Sequence, residues 1–295
     1  MTQINIQFTL FSAFYSPLIA TMAGGFLRAE GLEPNWSVAT PGVSALAALE
    51  DGSAHVVQSA LSQGFGPMEK GARARTTHFA QVNEMDGFFL TARDPDNNFD
   101  WHKLEGADVV LFGSGQPLAM FKYACHKAGI DYDKINAIHP GGAADIDKAF
   151  RDGQGTYVQQ QGPFPQQLEA DGVGHVVTRV GPVIGPCGFS SLATMPEWLE
   201  TDMAAAFVRA YRKTRAYMVE TPAAEIAAAE RSYFPKIDES VLASCIESYQ
   251  QLGCWTPHIE ITQEAYEATL DIYAYNGLIT SRHPYESVCS LPPAA

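Results

Sequence analysis

The sequence is short of charge, of paired cysteines and of long apolar runs, and each shortage closes off a class of protein. Only 18% of its 295 residues are charged, and 19 basic residues stand against 33 acidic ones, for a formal net charge of −14. Such a field repels phosphate backbones and anionic lipid, so no nucleic acid partner is expected. No apolar run reaches the roughly 18 residues that a bilayer-spanning helix needs, and direct membrane insertion is not expected either. The chain as it stands opens on Met1 without a basic-then-apolar leader, which gives the expectation of a cytoplasmic location, or of a periplasmic or extracellular one if a leader precedes it in the gene. Cys125, Cys187, Cys245, Cys254 and Cys289 are odd in number and form no CxxC, so neither a disulfide framework nor a zinc knuckle is indicated. The histidines form no HExxH or H-x-H, and GxxxxGK[ST] does not occur, so neither a metal nor a cofactor is expected. What is present is a globular composition, 46% hydrophobic, with 25 Gly and 18 Pro spread without period.

The apolar residues Ile4, Ile6, Phe8 and Leu10 alternate, the period of a strand with one buried face. Pro17 suits the first turn of a helix through Ile19, Met22 and Phe26, stopped at Gly31. Glu33 to Val38 predicts a second strand. After a break at Pro41-Gly42, helical spacing returns at Val43, Leu46, Ala47 and Leu49, and His55 to Ala60 predicts a third strand. The same grammar recurs from Ala107 to Val158, with helices over Leu118 to Ala128 and Ala144 to Phe150. Alternating strands and helices build parallel sheets covered on their faces. From Pro196 onward the pattern is helical, with Phe207, Tyr211 and Met218 on one stripe and Arg209, Arg212, Lys213 and Arg215 read as a solvated face. Extended segments at Gly87 to Ala92 and near Val183 to Leu192 join the two units. The expected fold is therefore two Rossmann-like α/β lobes joined by a two-strand hinge, with a helical C-terminal tail. Lobe one comprises residues 1–88 and 190–295, and lobe two residues 89–189.

Four segments carry a family likeness: Gly24-Gly25-Phe26-Leu27-Arg28-Ala29-Glu30-Gly31-Leu32, Val43 to His55, Asp100 to Val109, and Ala149-Phe150-Arg151-Asp152-Gly153. In this order they resemble the type II periplasmic-binding-protein superfamily, in the branch that binds alkanesulfonates, nitrate and pyrimidine precursors. The resemblance implies two lobes closing on a small molecule, with an ABC-type permease as partner in a transport system. Relatives that consume an active-site histidine in thiamine pyrimidine synthesis differ here. Ser59 and Gln63 stand at the matching positions, and the return crossover holds one cysteine, Cys187, in Gly185-Pro186-Cys187-Gly188-Phe189. A carbon–sulfur lyase relative carries its nucleophilic thiol after the first strand, where this chain has Phe11-Ser12-Ala13-Phe14-Tyr15-Ser16. The expected role is thus a solute-binding protein without chemistry of its own; a cytosolic enzyme on the same fold and a cytosolic ligand sensor are the alternatives.

Open parallel sheets bind ligands outside the carboxyl ends of their strands, so the cleft between the lobes is the expected site. Its loops are rich in amides, hydroxyls and rings and hold no lysine or arginine. The candidate ligand-binding residues are Phe14, Tyr15, Ser44, Gln58, Ser59, Asn83, Glu84, Ser114, Gln116, Gln160, Cys187 and Phe189. Phe14, Tyr15 and Phe189 would stack on a flat ring, Gln58, Asn83 and Gln160 would read its donors and acceptors, and Glu84 would pair with a cationic or N–H-bearing edge. An anion would depend on the helix N-termini near Ser44 and Gln116. Cys187 shows no base partner in sequence and reads as an inert thiol. The expected guest is small, planar and nearly neutral, of the pyrimidine, sulfonate or aromatic acid class.

Overall fold

The computed structural model describes residues 1–40 and 42–294, so the break expected at Pro41 lies outside the described residues. The first half runs β1 (Thr2–Phe8), α1 (Ser16–Ala23), α2 (Phe26–Ala29), β2 (Leu32–Val38), α3 (Ala47–Glu50), β3 (Val56–Ser59), α4 (Phe65–Glu69) and β4 (Thr77–Asn83). The chain then crosses into β5 (Phe88–Ala92), β6 (Asp108–Val110), α5 (Gly115–Lys127), β7 (Asn136–Ile138), α6 (Ala143–Arg151), β8 (Tyr157–Gln161), α7 (Phe164–Ala170), β9 (His175–Arg179) and α8 (Gly181–Ile184). It returns through β10 (Ser190–Thr194) and ends in α9 (Asp202–Glu220), α10 (Ala223–Glu230), α11 (Glu239–Leu252) and α12 (Gln263–Tyr275).

Two five-stranded sheets result, ordered β2-β1-β3-β10-β4 and β7-β6-β8-β5-β9. The expected two α/β units and helical tail are present, but the sheets are mixed rather than parallel. The strand after each crossing enters its new sheet reversed: β10 runs antiparallel to β3 and β4, and β5 antiparallel to β8 and β9. A strand that arrives directly from the other sheet, without a crossover helix, has no geometric need to run parallel. The free edge at β4 is covered by the tail, where His78 N–H donates to Val288 O (2.9 Å) and Ser290 N–H to His78 O (2.9 Å).

Two local expectations change. Gln159 to Gln161, expected in a loop after a strand ending at Val158, instead lengthen β8, because they pair in register with Leu90, Phe89 and Phe88. Burial of both neighbouring strands overrides the low strand preference of glutamine. Arg215, expected on a solvated face, is fully buried; its guanidinium donates to Val82 O (2.6 Å), Thr256 O (2.7 Å) and Thr256 Oγ1 (3.1 Å). Arg209 and Lys213 keep to the surface, on Glu30, and Arg212 pairs with Glu260 at 2.5 Å.

Candidate functional site

The carboxyl ends of β1, β3, β6 and β8 converge where the two sheets meet. After β1, Ser12 caps a single 3-10 turn, Ala13–Tyr15, by accepting the Phe14 N–H at 3.1 Å. That turn brings the Tyr15 hydroxyl near Gln58 of β3 and Gln161 of β8, so one side chain lies close to both sheets. Burial pushes its phenol well above the usual tyrosine range, and it stays protonated. Gln58 is also held by the backbone: its Oε1 accepts Thr9 N–H at 3.2 Å. Ser59, one residue on and so on the opposite face of the strand, is buried with its hydroxyl unpaired among the described residues.

Pleating splits the three glutamines of β8. Gln161 stands opposite Phe88 and Gln159 opposite Leu90, while Gln160 stands opposite Phe89. Gln161 lies near the Tyr15 hydroxyl, and alternation along the strand puts Gln159 on the same face. Gln160 shares its face with Val158, which is covered by Ile146, Phe150 and Leu168 of α6 and α7. Gln159 and Gln160 are both buried, and among the described residues neither amide has a hydrogen-bond partner.

The candidates nearest the hinge are committed to the structure. Phe14 is fully buried, with ring centres of Tyr249, Phe189 and Tyr15 at 4.9, 5.3 and 5.4 Å. Gly87 lets the backbone pass close beside it, since a Cβ there would stand 2.1 Å from the Phe14 ring. Asn83 donates to Ser190 Oγ and accepts from Trp255 Nε1, both at 2.8 Å. Glu84 lies 3.2 Å from His258 Nε2 and accepts from Gln81 Nε2 at 3.3 Å. The Cys187 thiol is buried and pushed up by desolvation, with the Asp86 and Glu84 carboxylates adding to it, so no thiolate forms. Ser44 is exposed, 3.5 Å from Gln63 Oε1.

Ser114 and Gln116 line a cleft of about 530 Å³ between the two sheets' helices, facing Ser62, Phe65 and Tyr273. Gln116 Nε2 donates to Phe189 O at 2.8 Å. Ser114 leaves the first N–H groups of the thirteen-residue α5 without a side-chain cap at this cleft. Lys122, two turns along α5, also lines it and lies 4.6 Å above the Tyr132 ring.

The expected cleft loop at Gln159–Gln161 contributed only Gln160 as a candidate, not Gln159 or Gln161, and the expected loops include neither Lys122 nor Asp86. Strand alternation carried one residue further would have found the glutamines; nothing local signals the other two. Asp86 sits in the first crossing, fully buried, with Oδ1 accepting Phe88 N–H at 2.8 Å and Oδ2 without a partner among the described residues. Burial raises its carboxyl to about 7. Among the described residues no cluster of His, Cys, Asp or Glu is arranged to hold a metal ion.

Known proteins share this fold. YtlA, a proposed binding protein of Bacillus subtilis (strain 168), is 26% identical over 292 residues, 98% of this chain and 87% of its own length. The periplasmic aliphatic sulphonate binding protein SsuA from Escherichia coli superposes with a TM-score of 0.74 at 16% identity, over 98% of this chain and 97% of SsuA. The ligand binding component of an ABC-type import system from Staphylococcus aureus, solved with zinc bound, gives 0.73 at 16% identity, over 99% and 97%. These two share the fold. The model of the NMT1/THI5-like family matches residues 13–225, most of the chain, and the chain belongs to that family.

Proposed function

We propose that this chain is a solute-binding protein whose jaws are residues 1–88 with 190–295 and residues 89–189, closing on one small molecule. The observation that carries the reading is Tyr15, whose hydroxyl lies near Gln58 on one sheet and Gln161 on the other, with the unpartnered Gln159 amide on the Gln161 face of its strand. Buried polar groups are normally paired, so free ones at a seam are groups held ready for a guest. The guest is small, planar and uncharged or weakly charged. Tyr15, Gln58, Gln159 and Gln161 read its polar edge, and Ser114 and Gln116 line its approach. Phe14, Asn83, Cys187 and Phe189 hold the wall from behind. An ABC-type permease is the proposed receiver, which the likeness to the Staphylococcus import component supports.

Lys122 and the uncapped α5 N-terminus favour a second reading, in which a sulfonate group enters the outer cleft. Calorimetric titration with uncharged heterocycles, aromatic acids and alkanesulfonates separates the two. The proposal expects one uncharged, planar tight binder, recovered unchanged by mass spectrometry. Tight binding of alkanesulfonates alone would favour the second reading, and turnover would establish an enzyme instead.

A further inference from the structure

Gly162, directly after β8, has both of its backbone polar groups taken by side chains from the other half of the molecule. Ser12 Oγ donates to Gly162 O at 2.6 Å, and Gly162 N–H donates to Tyr249 Oη at 2.6 Å. The same Tyr249 hydroxyl donates to Gly87 O in the first crossing at 3.3 Å. Tyr249 lies on α11, which packs on α10 on one side and on α7 on the other. Its ring meets Phe14, Trp255 and Phe89 at 4.9, 5.4 and 5.5 Å, so the hydroxyl is held in place. The approach is tight: a Cβ on Gly162 would stand 2.2 Å from Cys245 Sγ.

We infer that Ser12 and Tyr249 are positioning residues that latch the second sheet onto the first through Gly162, and so hold Gln161 against Tyr15 before any guest arrives. Gly162 follows Gln161 directly, and Ser12 sits three residues before Tyr15, so the latch lies on the two short segments that bring Tyr15 near Gln161. A guest's apparent affinity scales with the fraction of molecules already in the competent state, so the latch raises affinity without touching the guest. Only that consequence rests on the solute-binding reading; the latch itself is tested without ligand.

The full-length protein is spin-labelled at Ser53→Cys and Asp133→Cys, exposed positions on the two halves, since its five native cysteines are buried. Interlobe distances come from double electron–electron resonance, and hydrogen exchange follows the Gly162 amide. Tyr249→Phe keeps the ring and removes the latch hydroxyl. It is expected to raise the ratio of long to short distances about tenfold and to speed Gly162 exchange by a similar factor. Ser12→Ala is expected to act in the same direction and Ser12→Thr to restore the parent distribution. Parent-like distances and exchange in Tyr249→Phe overturn the inference, as does loss of global stability with unchanged distances. A parent already dominated by the long distance also overturns it.

Discussion

Gln159→Leu separates a group kept for recognition from one that serves the fold. The wild-type amide is fully buried on the central strand of the second sheet, and both of its polar atoms lack a partner. Leucine has a similar volume and nothing to desolvate. An unmade hydrogen bond in such a place costs about 1–3 kcal/mol, so the variant should be more stable by that amount. For a chain of this size each kcal/mol moves the thermal midpoint by about 2–4 °C, which calorimetry reads easily. The same substitution removes a donor and an acceptor from the proposed guest site. Affinity for the tightest binder found by titration should then fall by about 1–3 kcal/mol, roughly 5- to 150-fold. Stability and binding thus move in opposite directions. A lower midpoint would mean that the amide supports the fold; a higher midpoint with unchanged affinity would place Gln159 outside the guest site. Gln160→Leu is the companion, expected to raise the midpoint and leave affinity within about twofold, because its side chain lies on the face covered by α6 and α7.

Three further outcomes follow from the geometry. Gly87→Ala places a methyl 2.1 Å from the fully buried Phe14 ring and should cost about 1–3 kcal/mol in denaturant unfolding; a parent-like midpoint would show that the hinge yields freely. Asp86, raised by burial to about 7, binds more protons folded than unfolded between pH 4 and 7, so its contribution is fully present in acid and is lost as pH rises through 7. Asp86→Asn keeps the acceptor for Phe88 N–H and should become more stable relative to the parent as pH rises from 4 to 8, by at most about 4 kcal/mol; a constant difference would refute the assignment. Comparing the two proteins cancels His78, which burial lowers to about 4 and whose contribution is lost in the opposite direction, as pH falls below its ordinary value. Lys122→Gln should leave the uncharged binder's affinity within about twofold, whereas a tenfold or larger loss would support the sulfonate reading.

Much of the fold was legible because periodicity is a property of the chain. The alternation at Ile4, Ile6 and Phe8 and the helical spacing after Pro17 correspond to β1 and α1. The direction of β5 and β10 was not legible, since it depends on how the chain enters a sheet and not on which residues it carries. The candidate site was legible by loop and not by side chain. Tyr15 lies at the seam, but Asn83 is occupied by Trp255 and Ser190 and Glu84 by His258, partners remote in sequence, with Gln81 three residues before Glu84 adding to it. The three glutamines show the limit most clearly. Their composition suggested a polar loop, and only pairing with Phe88 to Leu90 decides which of them face Tyr15.

A crystal structure of the protein with its tightest binder tests the central claim most directly. The account predicts density enclosed at the carboxyl ends of β3, β6 and β8, within hydrogen-bonding distance of Tyr15 and Gln159. A binder seated instead beside Trp198 on the far side of the first sheet, or beside Pro235 near α10, with the seam unchanged, would contradict it.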